Sequence, residues 1–321
     1  MREILRIARA IDALLDAGKR GVLVTVAGTR GSTYRRAGAR CVIGEDGSAF
    51  GAISGGCVER DLGERARLWL EDMKPRVVTY DSSAADDIVF GLGLGCRGKI
   101  EMLIQPFDAQ RRPSLPPSSG TYGTVIASGD DRYAAGDSYP VDGAETTCRM
   151  TFGDVDVLVE VVRPQRSIAI FGTGADVHPV ATIATTLGWR VDVITAREVK
   201  VTGCDAAVVM THNFLRDVEI VQMLLASNVA YIGLLGPKSR GEEILTQVGE
   251  ADRSRIWSPV GLDLGGEAPE DIALAIVAEI QAVLNGMPAA SLRDREGPIH
   301  GGGQAILPVR TGKIACPPQN R

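Results

Sequence analysis

Ile4, Ile7, Ala8, Ile11, Leu14 and Leu15 fall on one face of a 3.6-residue period, and Gly18 supplies the stop of the helix they predict. The unbroken apolar run Val22 to Ala27 predicts a buried strand, which opens into a loop from Gly28 to Arg40. Val58, Leu62, Ala66, Trp69 and Leu70 again recur at helical spacing, with Glu59, Arg60, Asp61, Glu64, Arg65 and Arg67 between them. This predicts a second helix from near Cys57 to near Met73. Strands are expected at Pro75 to Tyr80 and Lys99 to Gln105. A Pro-, Ser- and Arg-rich linker follows over 108–120, with short strands at Thr121 to Ser128 and Val155 to Val162.

The pattern changes at Ser167. Strand Ile168 to Phe171 leads into Gly172-Thr173-Gly174-Ala175-Asp176-Val177, then a helix from about Pro179 to Leu187 and a strand from Arg190 to Ile194. Gly172 and Gly174 fit the tight turn and close pyrophosphate approach of a dinucleotide-binding βαβ unit. The third small residue of that fingerprint is missing, since Val177 stands there. Thr195 ends the second strand where an acidic residue would hold a ribose, and Arg197 nearby suits a 2′-phosphate instead. Further strands are expected at Ala206 to Met210 and Ala230 to Leu235, with helices through Val218 to Leu225 and from Pro269 onward. The expected fold is α/β. An N-terminal α/β domain (1–107) precedes a linker and strand-rich segment (108–166), a Rossmann-like parallel-sheet domain (167–287) and a tail (288–321).

The chemistry concentrates in loops. Ser54-Gly55-Gly56-Cys57 places a thiol where a glycine turn enters a helix, and unpaired N–H groups at a helix start attract anions and lower a thiol's pKa. A packed, inert turn thiol is the alternative. Arg35 and Arg36, with Arg30 and Arg40, make the Gly28–Arg40 loop a candidate for a phosphate or carboxylate ligand, the alternative being a solvated basic hairpin. A second glycine loop, Phe90 to Gly98, carries Cys96; two such thiols suit a soft metal, a sulfur relay or simple packing. His212 follows the third Rossmann-type strand, where acid–base work and helix capping are both open to it.

Composition narrows the classes. The 321 residues carry a formal charge of −5, which gives no basis for a nucleic-acid footprint, and nothing approaches the roughly 18 apolar residues of a membrane span. Six cysteines without CxxC spacing and three scattered histidines argue against a zinc site or disulfide framework, so reduced thiols and a cytoplasmic location are expected.

Taken in order, Gly31-Ser32-Thr33, Arg35-Arg36, Ser54-Gly55-Gly56-Cys57-Val58-Glu59, Gly95-Cys96, Phe171-Gly172-Thr173-Gly174, Met210-Thr211-His212, Tyr231 to Gly236 and Pro259-Val260-Gly261-Leu262-Asp263 resemble the XdhC/CoxI family. The resemblance covers residues 1 to about 106 and 167 to about 285, and departs where Tyr34 and Ala37 replace prolines the family often has. It implies an accessory factor of xanthine or carbon monoxide dehydrogenase-type enzymes rather than a catalyst. Such a factor binds the molybdenum cofactor (molybdopterin), protects it during sulfuration and hands it on. The implied partners are an apo molybdenum hydroxylase and a cysteine desulfurase-type sulfur donor, with a homodimer as the candidate assembly. Under it Cys57 and then Cys96 are the cofactor and metal contacts, with Arg35, Arg36 and the Ser54–Gly56 backbone as phosphate holders. Two other readings stay open: an NADP-dependent oxidoreductase (NAD(P) at Gly172 and Gly174, His212 as proton donor), and a ligand-free scaffolding partner of the same enzyme system.

Overall fold

The computed structural model describes residues 1–31, 33–81, 98–142, 144–195, 203–249 and 253–296, with Cys57 described by its backbone alone. Two compact units emerge, Met1–Pro164 and Gln165–Ile299. Among the described residues no helix is long and apolar enough to cross a membrane.

In the first unit, α1 (Arg2–Asp16), β1 (Gly21–Gly31), β2 (Arg40–Gly44), β3 (Ala49–Gly51), α2 (Cys57–Asp72), β4 (Arg76–Asp81) and β5 (Gly98–Phe107) follow in order. The strands form an antiparallel sheet, β3-β2-β1-β5-β4. β1 is apolar without alternation because both faces are covered. Val22, Val24 and Val26 meet Val58, Leu62, Trp69 and Leu70 of α2, whereas Leu23 meets Ile7, Ile11 and Leu14 of α1. Each such side chain, fully buried, contributes about 1.5–3 kcal/mol. The basic loop expected from Gly28 is shorter in the structure. β1 continues through Gly31 by pairing with Gly98 to Glu101 across a register shift, and backbone pairing of this kind needs no apolar side chains.

The segment after β5 builds a second antiparallel sheet from β6 (Gly120–Ser128), β7 (Ser138–Pro140), β8 (Cys148–Phe152) and β9 (Val155–Val162), in the order β7-β6-β9-β8. It packs on the first sheet through Ala27, Leu103, Ile126 and Leu158. An ion pair joins the two sheets: Arg40 donates twice to Glu160, at 2.8 and 2.5 Å, with both side chains buried.

The second unit runs β10 (Ser167–Phe171), α3 (Val177–Thr186), β11 (Arg190–Ile194), β12 (Ala206–Val209), α4 (Phe214–Leu225), β13 (Tyr231–Leu234), α5 (Lys238–Val248), β14 (Ile256–Trp257) and α6 (Pro269–Leu284). All five strands are parallel, in the order β11-β10-β12-β13-β14. α3 and α6 cover one face and α4 and α5 the other, the doubly wound arrangement that parallel strands require. Strand order reverses between β10 and β12, so the crevice for a ligand of such a sheet lies at their carboxyl ends.

Candidate functional site

The turn that carries Cys57 is shaped by close packing at one end and an internal carboxylate at the other. Gly51 ends β3 at φ +89°, and a Cβ there would lie 2.7 Å from the Arg40 carbonyl, so only glycine fits. Gly56 is the N-cap of α2 in left-handed conformation, φ +111°, and Cys57 is the first helical residue. Gly55 and Gly56 are exposed, and among the described residues nothing stands within 4 Å of where their Cβ atoms would be.

Glu59 folds back beneath it. Its carboxylate accepts from the amides of Ile53 at 2.8 Å, Ser54 at 2.7 Å and Gly56 at 3.1 Å, and from the Ser54 hydroxyl. The same hydroxyl oxygen accepts from the amides of Gly56 and Val58. Burial raises the Glu59 pKa, but the hydrogen bonds from Ser54 and Ile53 outweigh it and hold the carboxyl below its ordinary value. Several amides expected to face a phosphate are thus engaged by the chain's own anion. Glu59 sits three residues after the cap Gly56, and that capping-box spacing was the one sequence signal for its role.

Arg35 and Arg36 diverge in environment. Arg35 donates to both oxygens of Glu3, at 2.8 and 2.6 Å, whereas Arg36 is exposed. Glu3 and Arg35 line two hollows. One, of about 640 Å³, is also bordered by Arg2, Arg6, Phe50 and Ala52 and so reaches the residue from which the Ser54–Gly56 turn departs. The other, of about 680 Å³, is bordered by Arg36, Arg40, Glu160 and Arg163. Sequence reasoning missed Glu160, because it lies 120 positions from the Arg40 it pairs with.

Cys96 and its glycine loop, Arg197 and the side chain of Cys57 lie outside the described residues. Cys41 and Cys148 are buried and Cys204 is half-buried. Burial pushes each of these thiols up, with Glu59 adding to the shift at Cys41, so none is a thiolate near neutral pH. Among the described residues no group of three or more His, Cys, Asp or Glu is placed to hold a metal ion.

In the second unit a side-chain pair bridges the crevice between β10 and β12. Gly172 packs on the residue that follows β12, where a Cβ would lie 2.6 Å from the Met210 carbonyl. His212, at φ +57°, places Nε2 2.9 Å from Asp176 Oδ2, joining the two loops that border the crevice. Asp176 occupies the N-cap of α3, where a pyrophosphate would need positive rather than negative surroundings. Gly174 lies against both side chains of the pair. The conformation of His212 is supported from below: buried Asp217 accepts from Thr211 Oγ1 at 2.5 Å and from Arg240 at 2.8 Å, and Asn213 caps α4.

Comparison with known proteins agrees with both halves of this architecture. The profile of the XdhC Rossmann domain matches residues 168–280, and that of the XdhC and CoxI family matches residues 14–81. A protein of Bacillus subtilis (strain 168) named as a probable xanthine dehydrogenase subunit is 29% identical over 315 residues, covering 84% of this chain and 95% of the relative. "Molybdenum cofactor insertion chaperone PaoD" of Escherichia coli (strain K12) is 27% identical over 296 residues, covering 88% of each. A crystal structure described as a xanthine dehydrogenase from Bacillus halodurans superposes with a TM-score of 0.70 at 26% identity, over 91% of this chain and 98% of that one. With an antiparallel sheet bearing the Ser54–Glu59 turn, a parallel Rossmann-like sheet, and family profiles that together span more than half its length, the chain belongs to the XdhC/CoxI family.

Proposed function

We propose that this protein carries the molybdenum cofactor as cargo during its maturation, shields it while its terminal sulfur is installed, and passes it to a xanthine dehydrogenase-type hydroxylase. The observation that carries this reading is the open glycine turn at the start of α2. Among the described residues it leaves space above Gly55 and Gly56, it sets position 57 at the first helical residue, and it is held in shape by Glu59. The likeness to a molybdenum cofactor insertion chaperone supports the class of cargo.

In this reading Cys57 meets the metal centre first, Cys96 supplies the second thiol, and Arg35 and Arg36 hold the phosphate of the pterin. The amides of Ile53, Ser54 and Gly56 are spent on Glu59, so phosphate recognition falls on guanidinium groups, which bind it bidentately. Asp176 at the head of α3 weighs against a dinucleotide in the second unit, and with it against an oxidoreductase reading.

The test is cofactor retention. Full-length protein is purified from a host that makes molybdopterin, and molybdenum and pterin are measured per chain. Cys57→Ala is expected to lose most of both, Arg36→Ala part of both. Equal loading of wild type and Cys57→Ala overturns the proposal.

A further inference from the structure

We infer that the groove between the Arg35–Arg40 loop and the end of β9 is a diphosphate-binding site, in which Arg163 and Arg40 act together with Arg36. The groove, about 680 Å³, is lined by four guanidinium groups, Arg35, Arg36, Arg40 and Arg163, against two carboxylates, Glu3 and Glu160. Both carboxylates are already committed: Glu3 to Arg35 and the Arg40 amide, Glu160 to the Arg40 guanidinium. The two guanidinium charges in excess therefore belong to Arg36 and Arg163, which are exposed and have no acidic partner among the described residues, and the Met1 amino group, which donates to the Arg163 carbonyl, lines the groove beside them. Uncompensated like charges sharing one groove repel each other, and a bound anion relieves this.

A second observation points the same way. Arg40 lines the groove with its side chain 3% exposed, and its Nε is buried with no hydrogen-bond partner among the described residues. An unanswered buried donor on a charged group is costly and rare in a folded chain. Two excess guanidinium charges, the Met1 amino group and an unanswered donor suit the two linked anionic groups of a diphosphate better than a single phosphate.

For the ligand's identity in the cell the inference rests on the carrier reading, in which a diphosphate marks a cofactor extended by a nucleotide; the site itself is read from the groove alone. The experiment is calorimetric titration of the full chain with inorganic pyrophosphate, inorganic phosphate and a nucleoside diphosphate, at low and high salt. Pyrophosphate is expected to bind at least about tenfold more tightly than phosphate, and Arg36→Ala and Arg163→Ala are each expected to weaken it about tenfold, the size of one charge-assisted hydrogen bond. Arg163→Lys recovers part of the loss, and Arg132→Ala, on an exposed turn outside the groove, leaves binding unchanged. A nucleoside diphosphate that binds more tightly than pyrophosphate identifies a nucleotide as the natural source; equal affinities identify the free diphosphate. No saturable pyrophosphate binding by the wild type, or equal losses in Arg132→Ala and Arg163→Ala, overturns the inference. Because the titration does not involve Cys57, such a failure leaves cofactor retention as a separate question, and Cys57→Ala retaining full pyrophosphate affinity while losing molybdenum keeps the two apart.

Discussion

Replacing Glu59 tests the part of the site on which the turn's shape depends. In Glu59→Ala the amides of Ile53 and Ser54 lose their acceptor in surroundings where those residues are 1% and 7% exposed. A buried donor left unpaired costs about 1–3 kcal/mol. The Gly56 amide is replaced at little cost, because Gly56 is exposed and water reaches it. Two orphaned amides, partly relieved by local opening, give about 2–4 kcal/mol of lost local stability. At 1.4 kcal/mol per decade this is a roughly 30- to 1,000-fold faster hydrogen exchange at Ile53 and Ser54. Glu59→Gln, which keeps one acceptor oxygen but no charge, is expected to fall between the two. The wild type also carries a pH signature. The Glu59 carboxyl is held below its ordinary value of 4.5, so its contribution is fully present above that pH and is lost as pH falls through the folded-state value. Wild-type and Glu59→Gln exchange rates should converge in acid and separate above about pH 5. Exchange at Ile53 and Ser54 that changes by less than about threefold in Glu59→Ala, with the rest of α2 intact, would refute the claim that this carboxylate holds the turn.

Two further outcomes probe the charges between and within the sheets. Glu160→Ala leaves Arg40 buried without its counter-ion and is expected to cost about 3–5 kcal/mol in denaturant unfolding; the double variant Arg40→Met/Glu160→Leu should recover most of that, since an apolar pair of similar volume replaces a desolvated one. In the second unit, titration with NADP or NAD up to millimolar concentration is expected to show no saturable binding, because Asp176 sits at the head of α3; saturable binding to the wild type would show that the Asp176–His212 pair opens.

The elements that could be read directly from the chain are those whose energetics are local. α1 and α2 follow from apolar residues spaced three and four apart, with Gly18 and the left-handed Met73 at their ends. β1 and β10 follow from short apolar runs, and the doubly wound half from strands and helices alternating at short spacing. The short strands β3, β7, β8 and β14 carry no such signal, because pairing alone makes them strands. The site divides in the same way. Position 57 at a helix start and the basic character of the Arg35–Arg40 stretch were legible, since a glycine turn and clustered arginines are neighbours in sequence. The union of Arg40 with Glu160, and of Asp176 with His212, was not. Those contacts span 120 and 36 positions, and only the packing of one sheet on another and the adjacency of β10 and β12 bring them within hydrogen-bonding distance. Local periodicity sets which segments fold as helix or strand; strand order and register, which depend on the whole core, decide which charges meet.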